Sequence, residues 1–210
     1  MSDKETKKKS KSRQRIFMVA FMFAVTVVFI SGVSFAYLLS RETIKANEVL
    51  YVRRAILNAA GIEVPQNPEA TLEKFNNRVQ EIRNEQGETL YYEILDQNGE
   101  STTGYVFIET GAGLWGAIRA AIGFEGNMNA LSGVVFIEQN ETPGLGGRIT
   151  EEWFTSQFPG KMGPFTLVPE GEPTENDEFD AVTGATVTST AMRDLLKKTI
   201  NKAEQTTGGK

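Results

Sequence analysis

Residues 16–39, IFMVAFMFAVTVVFISGVSFAYLL, run for twenty-four positions without a charge. As a helix this run reaches roughly 36 Å at 1.5 Å per residue, against a hydrocarbon core of about 30 Å. A soluble helix of that length would show a polar face, and this one shows none. The run therefore predicts a transmembrane helix over 16–39. Lys7, Lys8, Lys9, Lys11, Arg13 and Arg15 precede it. That bias places a basic tail, residues 1–15, in the cytoplasm and everything after Ser40 on the other side. A cleaved signal peptide is the rival reading, because Ser34-Phe35-Ala36 is a passable small-x-small site. The apolar run exceeds a typical signal core, which favours a retained single-pass anchor in the cell inner (cytoplasmic) membrane.

The chain contains no Cys and no His. Thiolate zinc sites, iron–sulfur clusters, His-ligated haem and Ser–His or Cys–His catalytic pairs are thereby excluded. Any redox chemistry must come from an organic cofactor. Residues 1–39 hold seven basic and two acidic residues, whereas the remainder holds fifteen basic and twenty-five acidic. A strongly acidic folded part argues against nucleic acid as a partner.

Beyond the apolar run, residues 41–60 carry an approximate helical stripe that ends at Gly61, and residues 40–84 read as a helical stalk with packing helices. Asn67 as N-cap with Pro68 at the first helical position starts a second helix, and Leu72, Phe75, Val79 and Ile82 recur along it at helical spacing. From Thr89 the period changes. Residues 90–95 and 103–109 read as strands joined by a turn at Asn98-Gly99. Further strands are expected at 130–139 and 165–169, with a short helix over 151–158 capped by Thr150 that buries Trp153 and Phe154. A last helix covers 193–203. Residues 85–210 thus predict an α+β domain with helices packed on a twisted, mostly antiparallel sheet.

Three stretches stand out for chemistry. Two are glycine loops, Gly111-Ala112-Gly113-Leu114-Trp115-Gly116 and Glu141-Thr142-Pro143-Gly144-Leu145-Gly146-Gly147. Their glycines allow close backbone approach, and Leu114, Trp115 and Leu145 offer apolar surface to a flat ring. Taken singly, either loop is better explained by turn chemistry, with core burial of Trp115 in the first. Neither is a P-loop or a dinucleotide fingerprint. The third stretch, from Asp180 through Thr183-Gly184-Ala185-Thr186 to Thr188, crowds hydroxyls where the last helix begins. Such a place suits an anion, although helix capping alone would explain the hydroxyls.

The order of an apolar anchor, GAGLWG, ETPGLGG and DAVTGATVT resembles the FMN-binding domain family of bacterial respiratory flavoproteins. Within it, the likeness is nearest to C subunits of sodium-translocating NADH:quinone oxidoreductases. Rnf-type G subunits of ferredoxin:NAD oxidoreductases are the near neighbours. GAGLWG and residues 56–62 tilt the reading towards the C subunits. The resemblance implies FMN joined through a phosphodiester to Thr186 by a separate flavin transferase. Thr183 stands where Ser is common, Gly184 and Ala185 complete the motif, and Asp180 and Thr188 fill the positions flanking it. The flavin ring is expected near Leu114, Trp115, Glu141, Thr142, Leu145 and Gly146. Asn140 stands where relatives often carry His. The implied role is electron relay from NADH towards quinone, with other subunits of the membrane redox complex, the transferase and membrane lipid as partners. NADH binding and sodium transport would lie on other subunits, and neither catalytic residue nor metal ligand is implied here. The reading from a different class is a membrane-tethered binding module with no redox role.

Overall fold

The computed structural model describes residues 2–173 and 175–207, with the backbone alone for residues 2–13. The side chains of Lys7, Lys8, Lys9, Lys11 and Arg13, Met1 of the tail, and the final three residues of the 85–210 segment lie outside what is described. The chain divides into two compact units between Glu48 and Val49.

In the first unit every described residue belongs to helix α1 (Ser2–Ala59). Its part Gln14–Ala59 is long and apolar enough to cross a membrane. Phe17 and Phe29 are each 70% exposed, and the apolar side chains between them stand open on all sides. Water penalises such a surface at about 25 cal/mol per Å2, and lipid does not.

The second unit begins inside α1. Ala55, Ile56, Leu57 and Ala59 are buried. The helix stops because Gly61 adopts φ +71°, donating from its N–H to Asn58 O, while Ile62 N–H reaches back to Leu57 O. This paired closure is the usual glycine-dependent end of a helix. Asn67 then caps α2 (Pro68–Arg78), its side chain accepting from Glu69 N at 2.9 Å.

Helical spacing misleads beyond Arg78. Val79 and Ile82 lie on strand β1 (Val79–Arg83), not on the helix. Val79 pairs with Ile94 across the ladder to β2 (Thr89–Leu95), and the β-branched side chains pack there better than on another helical turn. The turn at Asn98-Gly99, with Gly99 at φ +76°, leads into β3 (Thr102–Ala112). Next comes β4 (Ala117–Glu125), a strand absent from the sequence reading, and then β5 (Leu131–Glu138). The five strands form one antiparallel meander in chain order.

Side chains of β4 feed both faces of the sheet. Ile118, Ala120 and Ile122 join one apolar cluster, and Ala121 joins the other. The end of α1 and residues of α2 cover the second face, and the remaining helices cover the first. Gly123 explains how closely α1 approaches, because a Cβ there would lie 2.0 Å from Ala59 O. Gly123→Ala is therefore expected to push α1 off the sheet and cost about 1–3 kcal/mol. The urea midpoint of the purified protein would read this; an unchanged midpoint would contradict the contact.

Past β5 a 3-10 turn (Gly146–Thr150) leads to a short helix α3 (Glu152–Thr155). Thr150 does not cap it: its hydroxyl donates to Gly147 O, and the cap position is Glu151 without a side-chain bond. Phe154 is buried as expected, but Trp153 is half-buried beneath the Arg148 guanidinium at 4.9 Å. The expected strand at 165–169 is β6 (Thr166–Val168), and it lies outside the meander. It pairs in parallel with β7 (Glu178–Asp180) as a separate two-stranded sheet. The final helix, α4 (Thr186–Thr207), starts seven residues before the expected 193. Met192, Leu195, Leu196 and Ala203 bury its inner face, so packing outweighs the poor helix propensity of Thr and Val. Lys198 and Lys202 pair with the buried Glu109 of β3. Burial works to raise the Glu109 carboxyl, but these lysines outweigh it and hold its pKa below the ordinary value.

Candidate functional site

The three stretches singled out by sequence meet at one end of the meander. A cleft of about 270 Å3 is lined by Leu114, Glu141, Thr142, Leu145, Gly146, Gly184, Ala185, Thr186, Val187 and Thr188. That volume lies just under the usual range for small-molecule sites, about 300–1,000 Å3, so the cleft covers part of a ligand and leaves part open. A larger cavity of about 660 Å3 lies elsewhere, around Met128, Met162 and Lys197, and includes none of the expected site residues.

The first glycine loop is the tip of the β3–β4 hairpin. Gly113 N donates to Gly116 O at 2.7 Å, which closes a tight turn. Leu114 and Trp115 project from it, 53% and 70% exposed, so core burial does not explain Trp115. Trp115 stands beside the cleft loop without lining the cleft itself. The second loop turns at Gly144, φ +74°, and presents Leu145, 45% exposed. Leu114, Leu145 and Val187 thus leave apolar surface at the mouth. Val187 was not anticipated, and only its place beside Thr186 marks it in sequence.

The helix start provides the polar end. Thr186 is the first residue of α4, is exposed, and its hydroxyl engages no described residue. The residue before it is Ala185, whose carbonyl accepts from Ser189 N at 3.0 Å. Ala185 has no side-chain oxygen to cap the helix. The hydroxyls nearby are not caps either, contrary to the capping explanation. The N–H groups of a first helical turn have no intrahelical acceptor, so those of residues 186–188 are open to an anion.

The neighbouring hydroxyls are occupied. Thr188 is buried and donates to Glu141. Ser189 is fully buried; its oxygen accepts from Val182 N at 2.9 Å and donates to Ala185 O at 3.0 Å. This brace holds the 182–185 loop in place. Gly184 at φ +79° lets the chain double back, and a Cβ there would press on Leu145 at 3.3 Å.

Besides Trp115, two expected residues stand outside the cleft. Asp180 anchors a loop, its carboxylate accepting from Gly171 N at 2.8 Å and its own N–H donating to Gln157 Oε1. Thr183 N donates to Glu170 at 3.0 Å. Glu170 in turn receives both terminal nitrogens of Arg148, at 3.1 and 3.3 Å. Arg148 and Glu170 carry no motif, so sequence inspection passes over them. Hydrogen bonds from Arg148 and Thr183 lower the Glu170 carboxyl from 4.5 to about 2. A depressed carboxylate stabilises above its unfolded pKa, and that contribution is lost as pH falls through the folded value. The tie to Thr183 is therefore expected to be intact above pH 4.5 and to loosen towards about pH 2. Pepsin cleavage within 170–186 should rise over that window, and Glu170→Gln should be cleaved readily throughout it. Equal cleavage of the two proteins across the window would contradict the latch.

The residues present fit a flavin mononucleotide: open amides and a free hydroxyl for its phosphate end, and apolar side chains for its ring. Comparison with known proteins agrees. Residues 113–201 match the FMN-binding domain family. The C subunit of the Na(+)-translocating NADH-quinone reductase of Vibrio vulnificus is 33% identical over 107 residues, 47% of this chain and 42% of that protein. The chain thus spans less than half of the length of the Vibrio relatives it matches. The G subunit of the proton-translocating ferredoxin:NAD(+) oxidoreductase complex of Clostridium ljungdahlii is 26% identical over 203 residues, 96% of this chain and 99% of that protein. In fold, the chain is similar to the C subunit of the Na(+)-translocating reductase from Parabacteroides distasonis, with a TM-score of 0.58 at 24% identity, covering 78% of this chain and 94% of that one. NqrC of Shewanella oneidensis gives 0.60 at 20% identity, covering 74% and 93%. The likeness to the FMN-binding domain family thus rests on segment 113–201, which holds the second glycine loop and the start of α4.

Proposed function

We propose that this chain is an electron-carrying subunit of a membrane-bound oxidoreductase complex, with FMN bound covalently through a phosphodiester to Thr186. One observation carries the reading: Thr186 alone of residues 183, 186, 188 and 189 combines an exposed, unengaged hydroxyl with a place in the cleft. The first-turn amides of α4 would favour the phosphodiester charge by about 0.3–1 kcal/mol. Gly184 and Ala185 leave room for the phosphate and for an attaching enzyme. A threonine hydroxyl is a weak nucleophile without a partnering base, and no His exists in the chain to serve as one. Attachment by a separate flavin transferase agrees with this. Bound FMN would supply one- and two-electron redox chemistry; Leu114 and Leu145 would flank its ring and leave an edge open to neighbouring subunits.

The anchor is residues 16–39, with the basic tail in the cytoplasm and the FMN domain on the extracytoplasmic side. The complex is read first as a sodium-translocating NADH:quinone oxidoreductase, in which this chain relays electrons from NADH towards quinone. The end-to-end match to the Clostridium protein favours a second reading, a G-type subunit of a ferredoxin:NAD oxidoreductase. Co-expression with a flavin transferase tests the attachment. Intact mass should rise by one FMN less water; an unchanged mass leaves a tethered, non-redox module. Isolation of the native complex separates the two pumps by whether an NADH-oxidising or a ferredoxin-oxidising subunit accompanies it.

A further inference from the structure

Glu141 is 4% exposed, although Asn140 before it and Thr142 after it face solvent. Its Oε1 accepts from Leu114 N at 2.8 Å and from Trp115 N at 3.0 Å. Its Oε2 accepts from the Thr188 hydroxyl, and its own N–H donates to Gln139 Oε1 at 2.7 Å. One carboxylate therefore joins the hairpin tip, the second glycine loop and the first turn of α4. Buried charge is tolerated only when fully hydrogen-bonded, and three donors meet that need here.

The glycines of both loops are fitted to this carboxylate. A Cβ on Gly113 would lie 2.5 Å from Glu141 Oε1. A Cβ on Gly146 would lie 2.9 Å from Oε2 and 2.5 Å from Thr188 Oγ1. Close backbone approach in these loops thus serves the acid first. With both oxygens engaged, Glu141 has little capacity left for a ligand, although it lines the cleft.

We propose that Glu141 is a positioning residue of the FMN site, and that its negative charge beneath the cleft lowers the flavin's midpoint potential. This rests on the FMN reading above. Holding Leu114 and Leu145 against the start of α4 fixes the gap between the apolar walls. Reduction adds negative charge to the bound flavin, and a carboxylate nearby in a poorly solvated floor opposes it.

Glu141→Gln separates the two roles. The amide oxygen can keep both N–H bonds, and the amide nitrogen can donate to Thr188 Oγ1, so the geometry survives without the charge. Glu141→Ala removes both, and Thr188→Val removes one tie if the alanine protein fails to fold. Each full-length chain is co-expressed with a flavin transferase, and its FMN content is read by intact mass. Potentiometry then gives the midpoint potential, and flavin fluorescence anisotropy gives the ring's mobility. Glu141→Gln should shift the potential upward at wild-type anisotropy. Glu141→Ala, or Thr188→Val in its place, should lower the anisotropy. A wild-type potential in Glu141→Gln together with wild-type anisotropy in the truncated variants would overturn the proposal. A wild-type chain without FMN would instead overturn the attachment reading, and the proposal with it.

Discussion

Thr186→Ala is expected to give a folded protein with no covalently bound flavin. The substitution removes the one exposed hydroxyl that α4 brings to the cleft, and that hydroxyl makes no hydrogen bond to a described residue. Alanine is the better helix former, so stability should change by less than about 0.5 kcal/mol. Thr188 and Ser189 cannot substitute, because both are buried and hydrogen-bonded within the domain. Thr186→Ser keeps an oxygen at the same place and should retain attachment. In-gel flavin fluorescence after denaturation reads both variants. A fluorescent band in Thr186→Ala would show that another side chain carries the cofactor.

The largest stability loss is expected from Phe154→Ala, about 3–5 kcal/mol. Phe154 is fully buried, with its ring centroid 5.4 Å from Phe158, 6.2 Å from Phe179 and 6.4 Å from Phe136. It thereby joins α3, β7 and β5. Strand β7 runs directly into the loop that presents Thr186, so loosening this cluster should also lower FMN attachment. Urea unfolding measures the first effect and intact mass the second. A loss below about 1 kcal/mol would mean that the site refills, contrary to the tight aromatic packing.

Much of this arrangement is legible in the sequence, for identifiable reasons. The apolar run, the Asn67-Pro68 helix start and the Asn98-Gly99 turn depend on local chemistry, and each appears where it is expected. Strand β4 does not, because Ala117–Glu125 is Ala-rich and buried on both faces, which erases the alternation that marks a strand. Val79 and Ile82 mislead because their spacing suits a helix while the ladder to β2 decides. The parallel pairing of β6 with β7 is a tertiary choice that neither segment encodes alone.

At the site, the motif residues around Thr186 assemble from distant stretches much as their order suggests. The side chains that hold them do not announce themselves. Glu170 and Arg148 act from outside any motif, and they tie Thr183 away from the cleft. Glu141 reads in sequence as a ring contact, yet its hydrogen bonds face inward to the loops. Asp180, beside the motif, serves Gly171 and Gln157 instead. Such roles depend on which donors a buried acid meets, and that is fixed only by the fold.

The most direct test is fragment sequencing of the tryptic peptide covering residues 162–193 from protein isolated natively with its complex. This segment holds no internal Lys or Arg but several hydroxyl residues, so the modified position must be located within it. One FMN less water on Thr186, with the other hydroxyls unmodified, is the predicted result. A peptide free of flavin, or flavin on a different residue, would contradict the account.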